Sequence, residues 1–217
     1  MRYSDILDTP LGPALSLKPM EGFDKFWKEI EVNCSDIISL YKTHNRLLYR
    51  GMKRDGGIYF TKEQIRNDRK SLNTHNLVQN EIDNWLKEHN FKALRSNSLF
   101  VTGDSDLAQY YGQPFIIFPK NGFNYTWFKN ARDLYDEIRW FNSSENNQME
   151  LTTDIQSNNF NNKIDQFMNF VKPTYTNIDD YIQVAYSGYE LMVQGVEYYA
   201  VRTQGFERII KTLLDMY

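Results

Sequence analysis

Residues 99–122 read LFVTGDSDLAQYYGQPFIIFPKNG, and their pattern is the strongest indication of the fold in the chain. The apolar run at 98–103 predicts a strand that ends in a turn. Residues 106–112 predict a short helix, which Gly112 stops because glycine readily takes the backbone conformation that closes a helix. Residues 114–119 form a second apolar run, and the prolines at both of its ends are typical of a strand with protected ends.

The part of the chain before this stretch is predicted to be largely helical. Apolar residues recur at three- and four-residue spacing over 22–44, with a split near residues 33–35, and again over 76–89. Both segments therefore predict amphipathic helices. Between them, the sequence RLLYRG at 46–51 predicts a short strand, and the polar residues 52–75 predict a loop.

The part of the chain after the stretch contains further short elements. They are a turn at 120–123, a strand at 125–127, a helix at 130–141, a polar loop at 142–163, a hairpin at 189–203 and a helix at 205–217, while residues 164–171 predict no single state. Helices come first and short strands with turns follow, a pattern that predicts the α+β class. The 217 residues predict one compact core at 46–217, preceded by an N-terminal arm and helical extension at 1–45.

Charge and composition exclude several classes of protein. Lys and Arg number 25 against 28 Asp and Glu, a net charge of −3, so the chain has no strong field to hold a nucleic-acid backbone. Cys34 is the single cysteine, which excludes an intramolecular disulfide and a thiolate zinc cluster and fits a reducing compartment. The three histidines lack metal-ligand spacing. With neither a signal-peptide pattern nor an apolar run of about 20 residues, the sequence predicts a cytoplasmic protein without a metal or a membrane partner.

Three polar residues at the ends of predicted strands are candidates for a common site. Arg50 ends the first strand, and its guanidinium presents a planar fork that matches phosphate oxygens. Thr102 ends the strand at 98–103, where its hydroxyl can bond a ribose or a carboxylate. Glu190 opens an apolar strand, so its carboxylate lies at the rim of the buried region. Each residue has an ordinary alternative role. For Arg50 it is a salt-bridged surface arginine, and for Thr102 a β-branched strand residue. For Glu190 it is an edge-strand charge that discourages aggregation.

The order and surroundings of these residues resemble the ADP-ribosyltransferases of the arginine–serine–glutamate type, which include clostridial toxins and phage-encoded transferases. The family's aromatic-Arg-Gly motif corresponds to Tyr49-Arg50-Gly51. Its Ser-Thr-Ser strand end, short helix and strand before a proline correspond to 99–122. Its third motif, a glutamate that opens an apolar strand before a turn and an aromatic strand, corresponds to Glu190 in ELMVQGVEYYAV.

The resemblance covers about residues 46 to 203 and has two departures. The Ser-Thr-Ser motif is Val-Thr-Gly at 101–103, so one hydroxyl remains. Gly188 lies two residues before Glu190, where members of the family that modify arginine or asparagine usually have Glu or Gln. A protein-arginine acceptor is therefore not implied. Nucleic acid, another protein side chain, a small molecule and plain NAD hydrolysis stay open.

The resemblance implies an ADP-ribosyltransferase-like split β-sandwich core and NAD as co-substrate. It implies that Glu190 stabilises a cationic ribose, that Arg50 binds a phosphate of NAD and that Thr102 orients Glu190 or the nicotinamide ribose. Further contacts with NAD are expected from residues near the motifs: Gly51, Tyr110, Tyr111, Phe123 and Arg69. The three aromatic rings and Tyr125 are candidates for stacking on nicotinamide, with core packing as the alternative for at least two of the four. Arg69 is a candidate for the second phosphate, with a solvated charge run as its alternative.

The implied activity is NAD-dependent transfer of ADP-ribose to a macromolecular acceptor, protein or nucleic acid, by a protein of phage type that acts on host components. Two other functions stay open. A non-catalytic module on the same fold would bind a nucleotide or a protein, and the incomplete Ser-Thr-Ser motif and Gly188 favour it. An RNA phosphotransferase of the same fold would need a more basic residue set, so the net charge of −3 weighs against it.

Overall fold

The computed structural model describes residues 22–54, 57–70, 76–129, 134, 136–138, 160–177 and 181–216. Within these residues the protein has a mixed α+β fold with two four-stranded antiparallel sheets, which confirms the predicted class. The predicted arm lies outside the described residues. So does most of the helix and loop predicted over 130–163.

Short elements make up both sheets and their helical layers. Among the described residues, the strands are β1 (Tyr49–Met52), β2 (Phe60–Gln64), β3 (Leu99–Val101), β4 (Gln113–Pro119), β5 (Asn124–Phe128), β6 (Tyr175–Thr176), β7 (Leu191–Gln194) and β8 (Glu197–Arg202). The helices there are α1 (Phe23–Asn33), α2 (Ser35–His44), α3 (Asn76–Glu88), α4 (Ser105–Gln109), α5 (Phe160–Val171), α6 (Tyr181–Ser187) and α7 (Thr203–Asp215), with a 3-10 turn at Lys172–Thr174. The predicted split of 22–44 into two helices is confirmed by α1 and α2.

The described residues form two compact units. The first comprises those of Met1–Gln64, Asp104–Gly122 and Val196–Tyr217, and the second those of Ile65–Gly103 and Phe123–Gly195. The first unit contains the sheet with strand order β1-β4-β8-β2, and the second contains the sheet with strand order β3-β7-β5-β6. Each unit is therefore assembled from segments that are distant in sequence. The boundary predicted between residues 45 and 46 stays a prediction.

Helices α1, α2 and α7 of the first unit bury their apolar sides against one face of its sheet. In α1 the buried positions Phe23, Trp27 and Ile30 recur at three- and four-residue spacing, the period of one helix face. The rings of Trp27 and Phe118 meet edge to face with 5.7 Å between their centroids, and those of Phe23 and Phe206 lie 4.8 Å apart. These aromatic pairs make the helix-covered face of the sheet the core of the first unit.

The second unit has its own hydrophobic cluster, in which α3 and α5 pack against its sheet. Helix α3 contributes Val78, Ile82 and Leu86, which are fully buried and recur at helical spacing. The sheet contributes Phe128 and Tyr175, whose rings stack with 4.7 Å between their centroids. The face of the sheet that carries these two aromatic residues is therefore buried.

The hairpin predicted at 189–203 is wrong. Strand β7 pairs with β3 and β5, whereas β8 pairs with β4 and β2, so the two consecutive strands belong to different sheets. Gln194-Gly195 is the point at which the chain leaves one sheet and enters the other. The apolar pattern identified both strands, but the partner of a strand is decided by packing that a local pattern does not contain.

The loop predicted at 52–75 is also corrected, because it contains β2. This edge strand pairs with β8, and every residue of its sequence FTKEQ is half-buried or exposed. One apolar residue in five gives almost no hydrophobic period, so the strand has no clear signature in the sequence. Residues 164–171 belong to α5, which begins at Phe160, inside the predicted loop. Among the described helices, none is both long enough and apolar enough to cross a bilayer.

Candidate functional site

Arg50 lies in β1, an edge strand of the first unit's sheet, opposite Phe115 of β4. Directly paired residues share a sheet face, and Phe115 is three residues from the helix-facing Phe118. Arg50 therefore projects from the face opposite the helices. Burial lowers the pKa of Arg50 below its ordinary value, and the interactions with Tyr198 and Glu63 offset only part of this effect. Because arginine stays protonated in proteins, this face carries a half-buried cation.

Gly51 has a steric reason to be glycine. A Cβ atom at this position would lie 2.0 Å from the carbonyl oxygen of Ala108 and 2.8 Å from Cβ of Tyr111. Helix α4 and the residues after it therefore pack directly on the backbone of β1, which a residue without a side chain allows. The carboxylate of Asp104 caps α4 by accepting two backbone N–H groups. Gly51 thus allows α4 to pack on β1, on the face opposite the Arg50 side chain. Contact of Gly51 with NAD stays a prediction.

Tyr110 and Tyr111 follow α4 and face solvent, with 86% and 52% of their surface exposed. Core packing, one of the two expectations for these rings, is therefore wrong for this pair. Phe123 and Tyr125, which belong to the second unit, are half-buried. The first unit accordingly presents two aromatic side chains to solvent at the end of the helix that contacts Gly51.

Thr102 and Glu190 lie side by side in the second unit. Strands β3 and β7 pair with Val101 opposite Leu191, so the next residue of each strand, Thr102 and Glu190, adjoins the other at one end of the sheet. The hydroxyl of Thr102 donates to the carbonyl oxygen of Gly188 at 2.9 Å. This hydrogen bond ties the end of β3 to the backbone two residues before Glu190.

Glu190 is buried, and its carboxylate forms an ion pair with the guanidinium of Arg95. Nη1 of Arg95 donates to Oε1 of Glu190 and also lies 3.5 Å from the hydroxyl of Tyr175. Burial alone would lower the pKa of Arg95, but the charge of Glu190 raises it above the ordinary value. Strand β7 lies between β3 and β5, so the alternative that Glu190 is an edge-strand charge is wrong.

Tyr175 adds a neutral group to this ion pair. It lies in β6 opposite Phe128 of β5, and the N–H of Phe128 donates to the carbonyl oxygen of Glu190. Thr102, Glu190, Phe128 and Tyr175 therefore form one row across the sheet. Burial raises the pKa of Tyr175, although the charge of Arg95 lowers it, so the phenol keeps its proton at neutral pH.

Arg95 is held in place by Asp83 of α3, a pair that the sequence analysis did not identify. The carboxylate of Asp83 accepts the backbone N–H of Arg95 at 2.7 Å and that of Ser96 at 3.0 Å. The guanidinium of Arg95 lies over the ring of Phe100, 4.8 Å from its centroid. The available signal was an acidic residue, Asp83, on the buried side of a predicted amphipathic helix. A buried carboxylate needs hydrogen-bond donors, and the backbone N–H groups of Arg95 and Ser96 supply them here.

The two departures from the family motifs have steric reasons in the second unit. A Cβ atom at Gly103 would lie 2.0 Å from the carbonyl oxygen of Ala185 in α6, so a serine does not fit there beside this helix. Gly188 follows α6 with a φ of 69°, in the left-handed region that favours glycine. A glutamate or glutamine at position 188 would be strained in this backbone conformation. Gly103 therefore leaves room for α6, and Gly188 provides the left-handed backbone conformation between α6 and β7.

Arg69 lies in the second unit and packs on an aromatic ring. Its Cζ atom is 3.7 Å from the centroid of Phe100, and its backbone N–H donates to the carbonyl oxygen of Ser96 at 2.8 Å. Its neighbour Arg66 forms an exposed ion pair with Asp68 at 3.0 Å, as expected of a solvated charge run. The stacked guanidinium gives Arg69 a packing role, and its contact with a phosphate stays a prediction.

Each unit offers a charged group suited to electrostatic chemistry. The structured ranges contain no group of three His, Cys, Asp or Glu side chains that could hold a metal ion. The second unit offers a fixed carboxylate with little water around it, an arrangement that stabilises a positive charge. The first unit offers a half-buried guanidinium suited to an anion.

Comparison with known proteins gives no counterpart. No protein-family model matches the chain, and neither a curated protein nor a solved structure matches it. The functional assignment therefore depends on the residues and contacts of this chain.

Proposed function

We propose that the protein is an NAD-dependent ADP-ribosyltransferase with an ADP-ribosyltransferase-like split β-sandwich core. The observation that carries the proposal is the β3–β7 register, which places Thr102 next to Glu190 at one end of a sheet. In the sequence, only the order of the motifs relates these two candidates to each other. The resemblance to transferases of the arginine–serine–glutamate type leads one to expect Thr102 and Glu190 as neighbours. It also leads one to expect an Arg-Gly strand motif, which here is Arg50-Gly51 with α4 packed on Gly51.

The proposed reaction breaks the bond between the nicotinamide nitrogen and the ribose carbon of NAD. The bonding electron pair leaves with neutral nicotinamide, and the ribose carbon takes on oxocarbenium character, as in glycoside hydrolysis. The carboxylate of Glu190 stabilises this cation. The nucleophilic atom of the acceptor then bonds to the ribose carbon and gives up its proton to solvent. Water in place of the acceptor gives NAD hydrolysis.

Arg95 and Thr102 act as positioning residues in this proposal. Arg95 holds Oε1 of Glu190, which fixes the carboxylate before the reaction begins. Thr102 holds the carbonyl oxygen of Gly188 and so fixes the backbone that leads into Glu190. A preorganised anion needs little rearrangement when positive charge develops, which is why such groups contribute strongly to rate.

Arg50 and the aromatic residues after α4 serve binding in this proposal. The half-buried guanidinium of Arg50 is the group suited to a phosphate of NAD. The exposed rings of Tyr110 and Tyr111 provide stacking surfaces for nicotinamide or for the acceptor. Since Gly188 supplies no side chain for an arginine acceptor, we propose a different protein side chain or a nucleic acid as the acceptor.

A second candidate function is a binding module without catalysis. The observation that favours it is the ion pair, because Arg95 already occupies one oxygen of a Glu190 side chain that is only 10% exposed. A carboxylate with a permanent partner can be structural. Calorimetry separates the two candidates: binding of NAD without release of nicotinamide supports the module, whereas release at a rate that depends on Glu190 supports the transferase.

The transferase is tested by incubating the purified protein and a bacterial lysate with NAD labelled in its adenylate part. We expect label to enter a macromolecular fraction with wild type and to be lost with Glu190→Gln. The matched control is Glu197→Gln, because Glu197 also opens a strand but pairs with Lys62 and Lys120 in partly exposed ion pairs. Equal labelling by wild type and Glu190→Gln contradicts the proposal.

A further inference from the structure

The backbone around Arg95 is fixed by polar side chains of α3. Asp83, which is buried, accepts the N–H of Arg95 at 2.7 Å and that of Ser96 at 3.0 Å. Gln79, one helical turn earlier, donates to the carbonyl oxygen of Arg69 at 3.0 Å, and the N–H of Arg69 donates to the carbonyl oxygen of Ser96. Residues one turn apart share a face of a helix. One face of α3 therefore holds the N–H groups of this segment directly and its carbonyl group through Arg69.

The charged end of Arg95 is held by the second unit's sheet. Its Nη1 atom donates to Oε1 of Glu190 and to the hydroxyl of Tyr175, which lies 3.5 Å away. The ring of Tyr175 is buried and stacks on that of Phe128, so the position of its hydroxyl is set by the sheet. The ring of Phe100 lies 4.8 Å from the guanidinium carbon. Arg95 is thus restrained at its backbone and at its guanidinium.

Both restraints bear on where the charge of Arg95 lies. An arginine side chain is long and loses much rotamer freedom when its charged end is confined to one place. Because Asp83 holds the backbone and Tyr175 contacts the guanidinium, this freedom is already lost in the folded protein. Glu190 therefore faces a guanidinium in a fixed position, and a guanidinium that moved away would leave its buried carboxylate uncompensated.

The charge of Asp83 also reaches the sheet side of this cluster. Burial raises the pKa of Tyr175, and the nearby charges of Glu190 and Asp83 raise it further, although Arg95 opposes them. Tyr175 is therefore a neutral phenol between one cation and two carboxylates. Its hydroxyl bonds to Arg95 without adding a charge to the cluster.

We propose that Asp83 and Tyr175 are positioning residues of the proposed reaction, which act through Arg95 on the carboxylate of Glu190. The inference rests on the proposed function, in which this carboxylate stabilises the cationic ribose. Neither residue has to touch NAD. A misplacement of about 1 Å caused by a change away from the reacting atoms can lower a rate about 100-fold, so loosening Arg95 at either end should slow the reaction.

Nicotinamide release by Asp83→Asn and Tyr175→Phe tests the inference. Asparagine keeps the shape of Asp83 but has one carbonyl oxygen where the carboxylate uses two, and phenylalanine keeps the stacked ring without its hydroxyl. We expect kcat to fall about 10- to 100-fold for Asp83→Asn and about 3- to 10-fold for Tyr175→Phe, with KM for NAD unchanged. The matched control is Glu81→Gln, an exposed carboxylate of α3, which should release nicotinamide like wild type.

A second measurement reports on Arg95 itself and needs no activity. In protein labelled with 15N-arginine, the N–H protons of this buried guanidinium exchange with water only when its hydrogen bonds open. We expect exchange about 10-fold faster in each folded variant than in wild type, the effect of one lost hydrogen bond. Circular dichroism checks the fold. If Asp83→Asn does not fold, Tyr175→Phe, which removes a single oxygen atom, decides the inference.

The outcomes distinguish this inference from the proposed reaction. Wild-type kcat in the folded variants overturns the inference, and release that still depends on Glu190 leaves the reaction standing. No release by wild type contradicts the reaction, and the exchange of the Arg95 protons then decides the inference. Exchange as slow as in wild type overturns it, whereas faster exchange supports the anchoring of Arg95 by Asp83 and Tyr175.

Discussion

Arg95 donates to the carboxylate of Glu190 inside the second unit, where both side chains are almost completely buried. Removing two opposite charges from water is costly, and their mutual attraction together with further hydrogen bonds must compensate for it. Asp83 supplies part of that support by accepting the backbone N–H of Arg95. Glu190 is therefore a fixed internal charge, although the sequence placed it at the rim of the core.

Replacing Arg95 by methionine should strongly destabilise the protein. The substitution leaves the carboxylate of Glu190 buried without its cation, and breaking a buried pair in this way costs about 3–5 kcal/mol of the free energy of unfolding. Urea unfolding followed by circular dichroism measures it. The double variant Arg95→Met with Glu190→Gln should recover part of the loss. A single variant as stable as wild type would show that the pair contributes nothing.

Removing the hydroxyl of Thr102 should loosen the segment before Glu190. Thr102→Val keeps the shape of the side chain but leaves the buried carbonyl oxygen of Gly188 without its donor, at a cost of about 1–3 kcal/mol. Thr102→Ser retains the donor and should stay close to wild type. Under the proposed function, nicotinamide release should fall with Thr102→Val through kcat rather than KM. Equal kcat for the valine and serine variants speaks against a positioning role.

Restoring a side chain at Gly103 should disturb α6. Its Cβ atom would overlap the carbonyl of Ala185, so Gly103→Ala should lower the free energy of unfolding by about 1–3 kcal/mol. The control is Gly57→Ala, because a Cβ atom at Gly57 meets nothing within 4 Å. Thermal melting of both variants measures the effect, and we expect a lower melting temperature for Gly103→Ala than for Gly57→Ala. Equal melting temperatures would mean that α6 does not pack on Gly103 in solution.

Cys34 should resist thiol reagents in the folded protein. It is fully buried, and burial raises the pKa of its thiol to about 12. The unfolded chain loses this proton near pH 9, so the thiol's contribution to stability is complete below pH 9 and is lost as pH rises toward 12. Wild type should thus lose about 1.4 kcal/mol more than Cys34→Ala between pH 8 and pH 10. Parallel losses in the two proteins contradict this.

Local patterns predicted much of the fold. Periodic apolar residues mark the helices α1, α2 and α3, and short apolar runs mark β3 and β4. Both signals depend on residues close together in the sequence, so they could be identified without coordinates. Strand partners could not, because the exchange between sheets at Gly195 depends on packing across the whole chain. Strand β2 was missed because its side chains are polar or partly exposed.

The candidate site was predictable only in part. Motif order singled out Thr102 and Glu190, which the β3–β7 register places together. Arg95 was missed, because an arginine shortly before a strand looks like an ordinary surface residue in sequence. Its importance comes from its contact with the buried carboxylate of Glu190.

The most direct test of the account is the rate at which the purified protein releases nicotinamide from NAD, compared between wild type and Glu190→Gln. Both proteins must first show the same folded circular dichroism spectrum at the assay temperature. We predict measurable release by wild type and a rate at least about 100-fold lower for Glu190→Gln, the usual loss when a preorganised charge is removed. Equal rates for the two proteins, or no release by wild type, contradict the account.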